Sequence, residues 1–326
     1  MDEQQLETIL LGGTRRYTRL EVAEKAGISP ERATRLWRAL GFATVGNDEV
    51  VFTEADIEAV RTAVQLISSG LLDESLEAPV TRALGQHLSR LAEWQADMLR
   101  SLIEGNEELR HDDQQITVLV NNLLPELEKV QTFVWRRHLA AFAGRMLTSQ
   151  RDDLPARTVL PGVAGFVDMV GYTGLTRQLD ESELSDVLEN FEGIASDAIA
   201  DQHGRVVKMI GDEVLFVADS PAEAAEIALT IVERIRAEGN LPQVRAGMAA
   251  GRILSRFGDV YGSVVNLASR LTSTARPGTI LVDRELAGVL GEDPEYEVRP
   301  GRTVAVRGYR RLRPYVLRRA SRNDGQ

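Results

Sequence analysis

The feature that most restricts this chain is a change of hydrophobic period near residue 150. Before it, apolar residues recur at intervals of three and four, as Leu84, Leu88, Leu91, Met98 and Leu102 do, and as Leu123, Leu127, Val130 and Val134 do further on. That spacing predicts amphipathic helices, two of them long, turning at the polar run 105–115 and packing as an antiparallel pair along a shared stripe. From residue 151 the segment RDDLPARTVLPG supplies two prolines and a glycine, which ends a helix. Beyond it, AGFVDMV, RVVKMIGDEVLFVA and VRAGMAAG read as strands, with the amphipathic stretches DESELSDVLENFEGIASDAIADQ and PAEAAEIALTIVERIRAE between them. The resulting order βαββαβ is that of a ferredoxin-like sheet. The 326 residues thus divide into an all-helical domain over 1–150, a linker over 151–161, an α+β domain over 162–319 and a polar tail over 320–326.

Composition narrows the chemistry. Thirty-eight Lys and Arg against 49 Asp and Glu leave a net charge of −11, which opposes general binding to nucleic acid or anionic membranes. The absence of cysteine excludes disulfides and thiolate ligands, and four scattered histidines make a His-rich metal site a poor fit, so any metal must sit on carboxylates. The acidic start MDEQQLETIL lacks the apolar core of a secretory signal, and no run reaches the ~18 apolar residues of a membrane span. A cytoplasmic protein is expected.

Two acids fall at strand ends. Asp168 closes the first strand and Asp212 lies in the Gly-Asp turn of the next hairpin. In a ferredoxin-like sheet those strands are neighbours, so the two carboxylates can approach each other. Paired oxygen ligands suit Mg²⁺ or Mn²⁺, which fill the rest of their shell with waters and substrate phosphates. Taken singly, each acid has a plainer use, Asp168 as a helix cap and Asp212 as a turn former.

In combination, the segments FVDMVGYT, VVKMIGDEVLF and GDVYGSVVNLASR closely resemble, in order and spacing, the signature segments of the class III adenylyl and guanylyl cyclases, over about 162–318. The resemblance implies that Asp168 and Asp212 bind two metal ions per site, with the backbone carbonyl of Met169 as a further ligand. It assigns Lys208 and Asp259 to reading the purine, Asn266 to orienting the ribose and Arg270 to the phosphates. It also points to Arg307 as a third phosphate contact, although Arg310, Arg311 and Arg313 stand close by in a basic strand region. Adenine offers an N6 donor and an N1 acceptor, which a carboxylate and an ammonium complement, so ATP is favoured over GTP. Asn266 and Arg270, four apart on a helix, share one face. Because each domain of this family supplies half a site, a head-to-tail homodimer is implied. A nucleotide-binding protein without turnover is the alternative.

The segment 17–42 looks like a helix-turn-helix, with Gly27 at the turn, Ser29-Pro30 opening the second helix, and Arg32, Arg35 and Arg38 along its face. This leaves a nucleotide-responsive DNA-binding regulator as a second alternative, against which Glu31 and the overall charge weigh. The helical half also resembles, more faintly, the N-terminal regulatory domain of the autoinhibited, pH-responsive class III cyclases. On that reading His138, between Arg137 and the domain boundary, is the candidate sensor, with an ordinary exposed helix histidine as its plainer reading. His203 reads as structural, and nothing singles out His87 or His111.

Overall fold

The computed structural model describes residues 3–149, 159–306 and 309–320. The chain divides into two compact units, Met1–Asp153 and Leu154–Gln326.

The first unit is helical: α1 (Glu3–Leu10), α2 (Arg19–Ala26), α3 (Pro30–Ala39), α4 (Glu54–Ser68), α5 (Glu77–Glu104), the short α6 (Glu107–Arg110) and α7 (Asp113–Ser149). Thr18 and Glu21 close a capping box at the start of α2, Gly27 ends it in the left-handed region, and Ser29 caps α3 ahead of Pro30. Those signals produce the expected helix-turn-helix. Its small core joins Val22, Phe52 and Ile57 to Tyr17, Trp37 and Val60, and a backbone bridge pairs Tyr17 with Phe52. Helix α5 crosses the end of α3 so closely that a Cβ on Gly85 would lie 2.3 Å from the Leu40 carbonyl oxygen. The long helices do not bury a common stripe: Leu84, Leu88 and Leu102 on α5 and Val130 and Val134 on α7 are exposed. A 3-4 spacing dictates a helix with an apolar face, but not what that face meets. Among the described residues no helix is long and apolar enough to cross a membrane.

The second unit runs β1 (Val159–Met169), the short α8 (Tyr172–Leu175), α9 (Glu181–Asp201), β2 (Arg205–Ile210), β3 (Glu213–Ala218), α10 (Pro221–Glu238) and β4 (Val244–Arg256). It continues through β5 (Asp259–Tyr261), α11 (Ser263–Thr274), β6 (Ile280–Val282), α12 (Arg284–Leu290), β7 (Tyr296–Pro300), β8 (Val304–Val306), β9 (Tyr309–Leu312) and β10 (Tyr315–Arg319). The main sheet has the order β2-β3-β1-β4-β6-β10-β7, with β5 paired to β4. Its first four strands are the antiparallel ferredoxin-like set, and β6 joins β4 in parallel. Alternate residues of β1 serve two cores, Val163, Val167 and Met169 with α9 and α10, Ala164 and Phe166 with α11. Asp168 therefore projects on the α11 side. Helix α11 lies directly on β4, where a Cβ on Gly247 would sit 2.2 Å from the Thr272 nitrogen.

Candidate active site

The β1–β3 register sets Asp168 opposite Glu213, and the Met169 amide donates to the Asp212 carbonyl at 2.9 Å. This brings the acids of the first strand and the hairpin turn to one end of the sheet. Burial raises the Asp212 carboxyl above its ordinary range, and the Asp168 charge adds to the rise. Burial likewise pushes Glu213 up to about 7, with repulsion from Asp168 and Asp212 contributing. The counter-charge is Arg245, directly across the β1–β4 ladder from Asp168, whose Nε donates to Asp168 Oδ2 at 2.7 Å. An acid cluster in which burial, with neighbouring negative charge, disfavours the ionised forms of Asp212 and Glu213 is chemically suited to a cation. Its donors are all oxygens, the set that Mg²⁺ and Mn²⁺ prefer. Among the described residues no three acids or histidines are grouped so as to hold a metal ion by themselves.

Lys208 on β2 and Asp259 on β5, 51 residues apart, meet at 2.8 Å. Burial alone would raise the Asp259 carboxyl, but the hydrogen bonds from Lys208 and the Val260 amide, with the charges of Lys208 and Arg205, hold it below its ordinary value. The Lys208 charge also lowers Glu213, so this pair and the acid cluster lie within electrostatic reach. Asn266 and Arg270 ride on α11, anchored by the buried Val264, Val265, Ala268 and Leu271. Among the described residues neither of their side chains makes a hydrogen bond or ion pair, and the fold does not join them to the acids of their own chain. Arg307 lies outside the described residues.

In the helical unit, His138 is exposed, its ring stacked on Phe142 at 6.5 Å. His203 takes a φ of 56° and its amide caps α9 through the Ala200 carbonyl, the structural role expected of it. Of the three arginines on α3, Arg32 is committed to Glu77 through a forked pair, Nε to Oε1 at 3.0 Å and to Oε2 at 3.2 Å. The helix-turn-helix thus has one cation fewer for a phosphate. Two residues of the site were not singled out from the sequence, Glu213 and Arg245. Glu213 adjoins Asp212 and was open to notice; Arg245 is linked to Asp168 only by strand register.

Residues 163–319 match the family described as the adenylate and guanylate cyclase catalytic domain, and residues 4–139 match the adenylate cyclase regulatory domain. An adenylate cyclase of Streptomyces coelicolor is 44% identical over 86% of this chain and 74% of its own length. One from Glutamicibacter nicotianae is 38% identical over 96% of this chain and 81% of its own. A pH-sensitive adenylate cyclase of Mycobacterium tuberculosis is 33% identical over 94% and 79% respectively. With both regions matched in sequence order and a relative 44% identical over most of its length, the chain belongs to the adenylate cyclase family in which a regulatory domain precedes a class III catalytic domain.

Proposed function

We propose that this chain is a cytoplasmic enzyme that cyclises ATP to 3′,5′-cyclic AMP and pyrophosphate at two shared sites of a homodimer. The observation that carries the reading is the juxtaposition of Asp168 and Asp212 by the β1–β3 pairing. Two divalent cations, Mg²⁺ or Mn²⁺, held by Asp168, Asp212 and the Met169 carbonyl, would activate the ribose 3′-hydroxyl and neutralise the triphosphate. Lys208 donates to adenine N1 and Asp259 accepts from N6, each exchanging the hydrogen bond that now joins them for one to the base. Guanine presents both groups reversed and leaves two polar side chains unmatched. Asn266 of the partner orients the ribose, and its Arg270 stabilises charge gathering on the α-phosphoryl oxygens. The 3′ oxygen bonds to the α-phosphorus, the bridge to the β-phosphorus breaks, pyrophosphate leaves with the electron pair, and the hydroxyl proton passes to solvent. Arg307 is assigned the outer phosphates.

The sensitivity of the mycobacterial relative to pH supports a matching control here, with His138 as the sensor. Protonation beside Arg136 and Arg137 adds like charge to one helical turn and shifts the chain from an inhibited to an active arrangement. Activity is expected to rise on acidification; a profile unchanged in His138→Ala removes that residue from the role.

Incubation of the purified chain with Mn²⁺ and ATP is expected to yield cyclic AMP, and none at any pH would leave a nucleotide binder without turnover. Mixing inactive Asp212→Ala with inactive Arg270→Ala chains is expected to restore partial activity, since one site of each mixed dimer is complete. No rescue despite confirmed subunit exchange overturns the sharing. Lys208→Glu with Asp259→Cys is expected to collapse ATP cyclisation; unchanged turnover removes both from base reading.

A further inference from the structure

We infer that Arg205 is a positioning residue for base choice, the cation that stays with the Asp259 carboxylate when Lys208 turns to the purine. This rests on the base-reading roles given above. Lys208 Nζ donates to Asp259 Oδ2 at 2.8 Å. To meet N1 of adenine it must give up that bond just when Asp259 has to accept from N6. A carboxylate that loses its bonded cation in a half-buried place is disfavoured as an anion, and a protonated one has lost acceptor capacity.

Strand register supplies the second cation. Strand β2 pairs Arg205 with Val217 and Lys208 with Leu215 of β3, and the register shifts by one residue at Val207, as in a β-bulge. Leu215 and Val217 pack on the α11 side of the sheet, whereas Val206 and Met209 pack on the α9 and α10 side. In an unbroken strand, residues three apart point to opposite faces. The shift brings Arg205 onto the face of Lys208, the side that Asp259 occupies. There its charge is among those that hold the Asp259 carboxyl below its ordinary value against the effect of burial. Arg256, across the β4–β5 ladder from Asp259, has its guanidinium over the Phe257 ring at 5.1 Å. The Val260 amide donates to Asp259 Oδ1 at 2.8 Å. Arg205 and this amide are the partners left to Asp259 once Lys208 has moved to the base.

The test compares ATP with purine riboside triphosphate, which keeps N1 but lacks the 6-amino group. Arg205→Gln in the full chain with Mn²⁺ is expected to raise KM for ATP about three- to fivefold, the scale of a partly exposed charge pair, with kcat little changed. KM for the analogue should not move, because Asp259 has nothing to accept from it. Arg205→Lys keeps the charge and should restore most of the preference for ATP. Both triphosphates are read on one preparation, so a loss of folded protein lowers both kcat values alike and leaves the ratio of KM values alone. A second readout needs no turnover. In metal-free Lys208→Ala chain, carbon-13 NMR of the Asp259 carboxyl should show titration no higher than an ordinary carboxylate. Adding Arg205→Gln should raise it, since burial is then opposed chiefly by the Val260 amide. Equal losses on the two triphosphates, or an Asp259 titration that Arg205→Gln does not move, overturn the role. If Asp259→Ala fails to narrow the gap between ATP and the analogue, it is the assignment of Asp259 to N6 that fails, and the titration still decides whether Arg205 holds the carboxylate.

Discussion

Helix α10 is 18 residues long and buries eight of them, among them Ile227, Ile231 and Ile235, whereas α5 runs for 28 residues and buries only Gly85. Both are amphipathic. The difference lies in what each helix finds within its own unit. Helix α10 lies on a sheet whose strands offer a continuous apolar face, while α5 and α7 leave Trp94, Phe133 and Trp135 exposed. The catalytic unit therefore concentrates its stability in one block, and the helical unit depends on the small core around Ile57. Regions with few buried contacts open at lower free energy than the block they are attached to, so two unfolding steps are expected, the helical one first.

The largest effect separates chemistry from stability inside the catalytic block. Asp212→Ala removes an acid that burial and a neighbouring charge already disfavour. Cyclic AMP production should fall by roughly a thousandfold or more, the scale of lost metal-assisted charge stabilisation. The melting temperature of the catalytic step should stay the same or rise. A fall in both would mean that Asp212 is part of the framework.

A second comparison sets two equal clashes in the two units. A Cβ at Gly247 would meet the Thr272 backbone at 2.2 Å and one at Gly85 the Leu40 backbone at 2.3 Å. Gly247→Ala pushes a buried helix off a buried strand and should destabilise the catalytic step by about 3 kcal/mol or more. Gly85→Ala can be relieved by tilting α5 away from α3 and should cost only about 1–2 kcal/mol, confined to the first step. Calorimetry resolving both transitions checks the pair; equal losses would show that α5 is seated as rigidly as α11.

The same contrast explains what the sequence disclosed. Strand alternation and turn chemistry are local, so the βαββαβ order and the ends that carry Asp168 and Asp212 were legible, and the fold brings Lys208 and Asp259, which the resemblance pairs, to within 2.8 Å of each other. Arg245 was not legible, because its partner is set by register between strands 77 residues apart. The exposed faces of α5 and α7 were not legible either: periodicity is a property of one helix, and burial a property of two surfaces.

The acid cluster predicts a pH effect of known sign. Glu213 binds its proton more tightly folded than unfolded, since burial and the neighbouring aspartates push it up to about 7. Stability is then greatest below the ordinary carboxylate value and declines as pH rises toward 7. Solvent reaching the half-buried group limits the loss to about 1–2 kcal/mol. In chelator, the catalytic step should weaken between pH 5 and 8, and Glu213→Gln should flatten the curve. Mn²⁺, which favours the ionised acids, should flatten it as well, while a slope confined to the helical step would place its cause outside this cluster.

The smallest effect belongs to the helical unit. The Arg32–Glu77 fork is the better shielded of its ion pairs, with side-chain exposures of 24% and 11%, and it joins α3 to the start of α5. A forked, partly buried pair is worth more than a surface bridge but carries a desolvation cost, so Arg32→Ala should weaken the first unfolding step by only about 1 kcal/mol. Glu77→Ala should do the same, and the double substitution should cost less than the sum, since the first change already removes the contact. The catalytic step and the turnover of the full chain should not move. An arginine kept for nucleic acid would behave oppositely: Arg32→Ala would leave the first step untouched and weaken retention on duplex DNA at low salt, and that result would reopen the reading of α3 as a DNA-contacting helix.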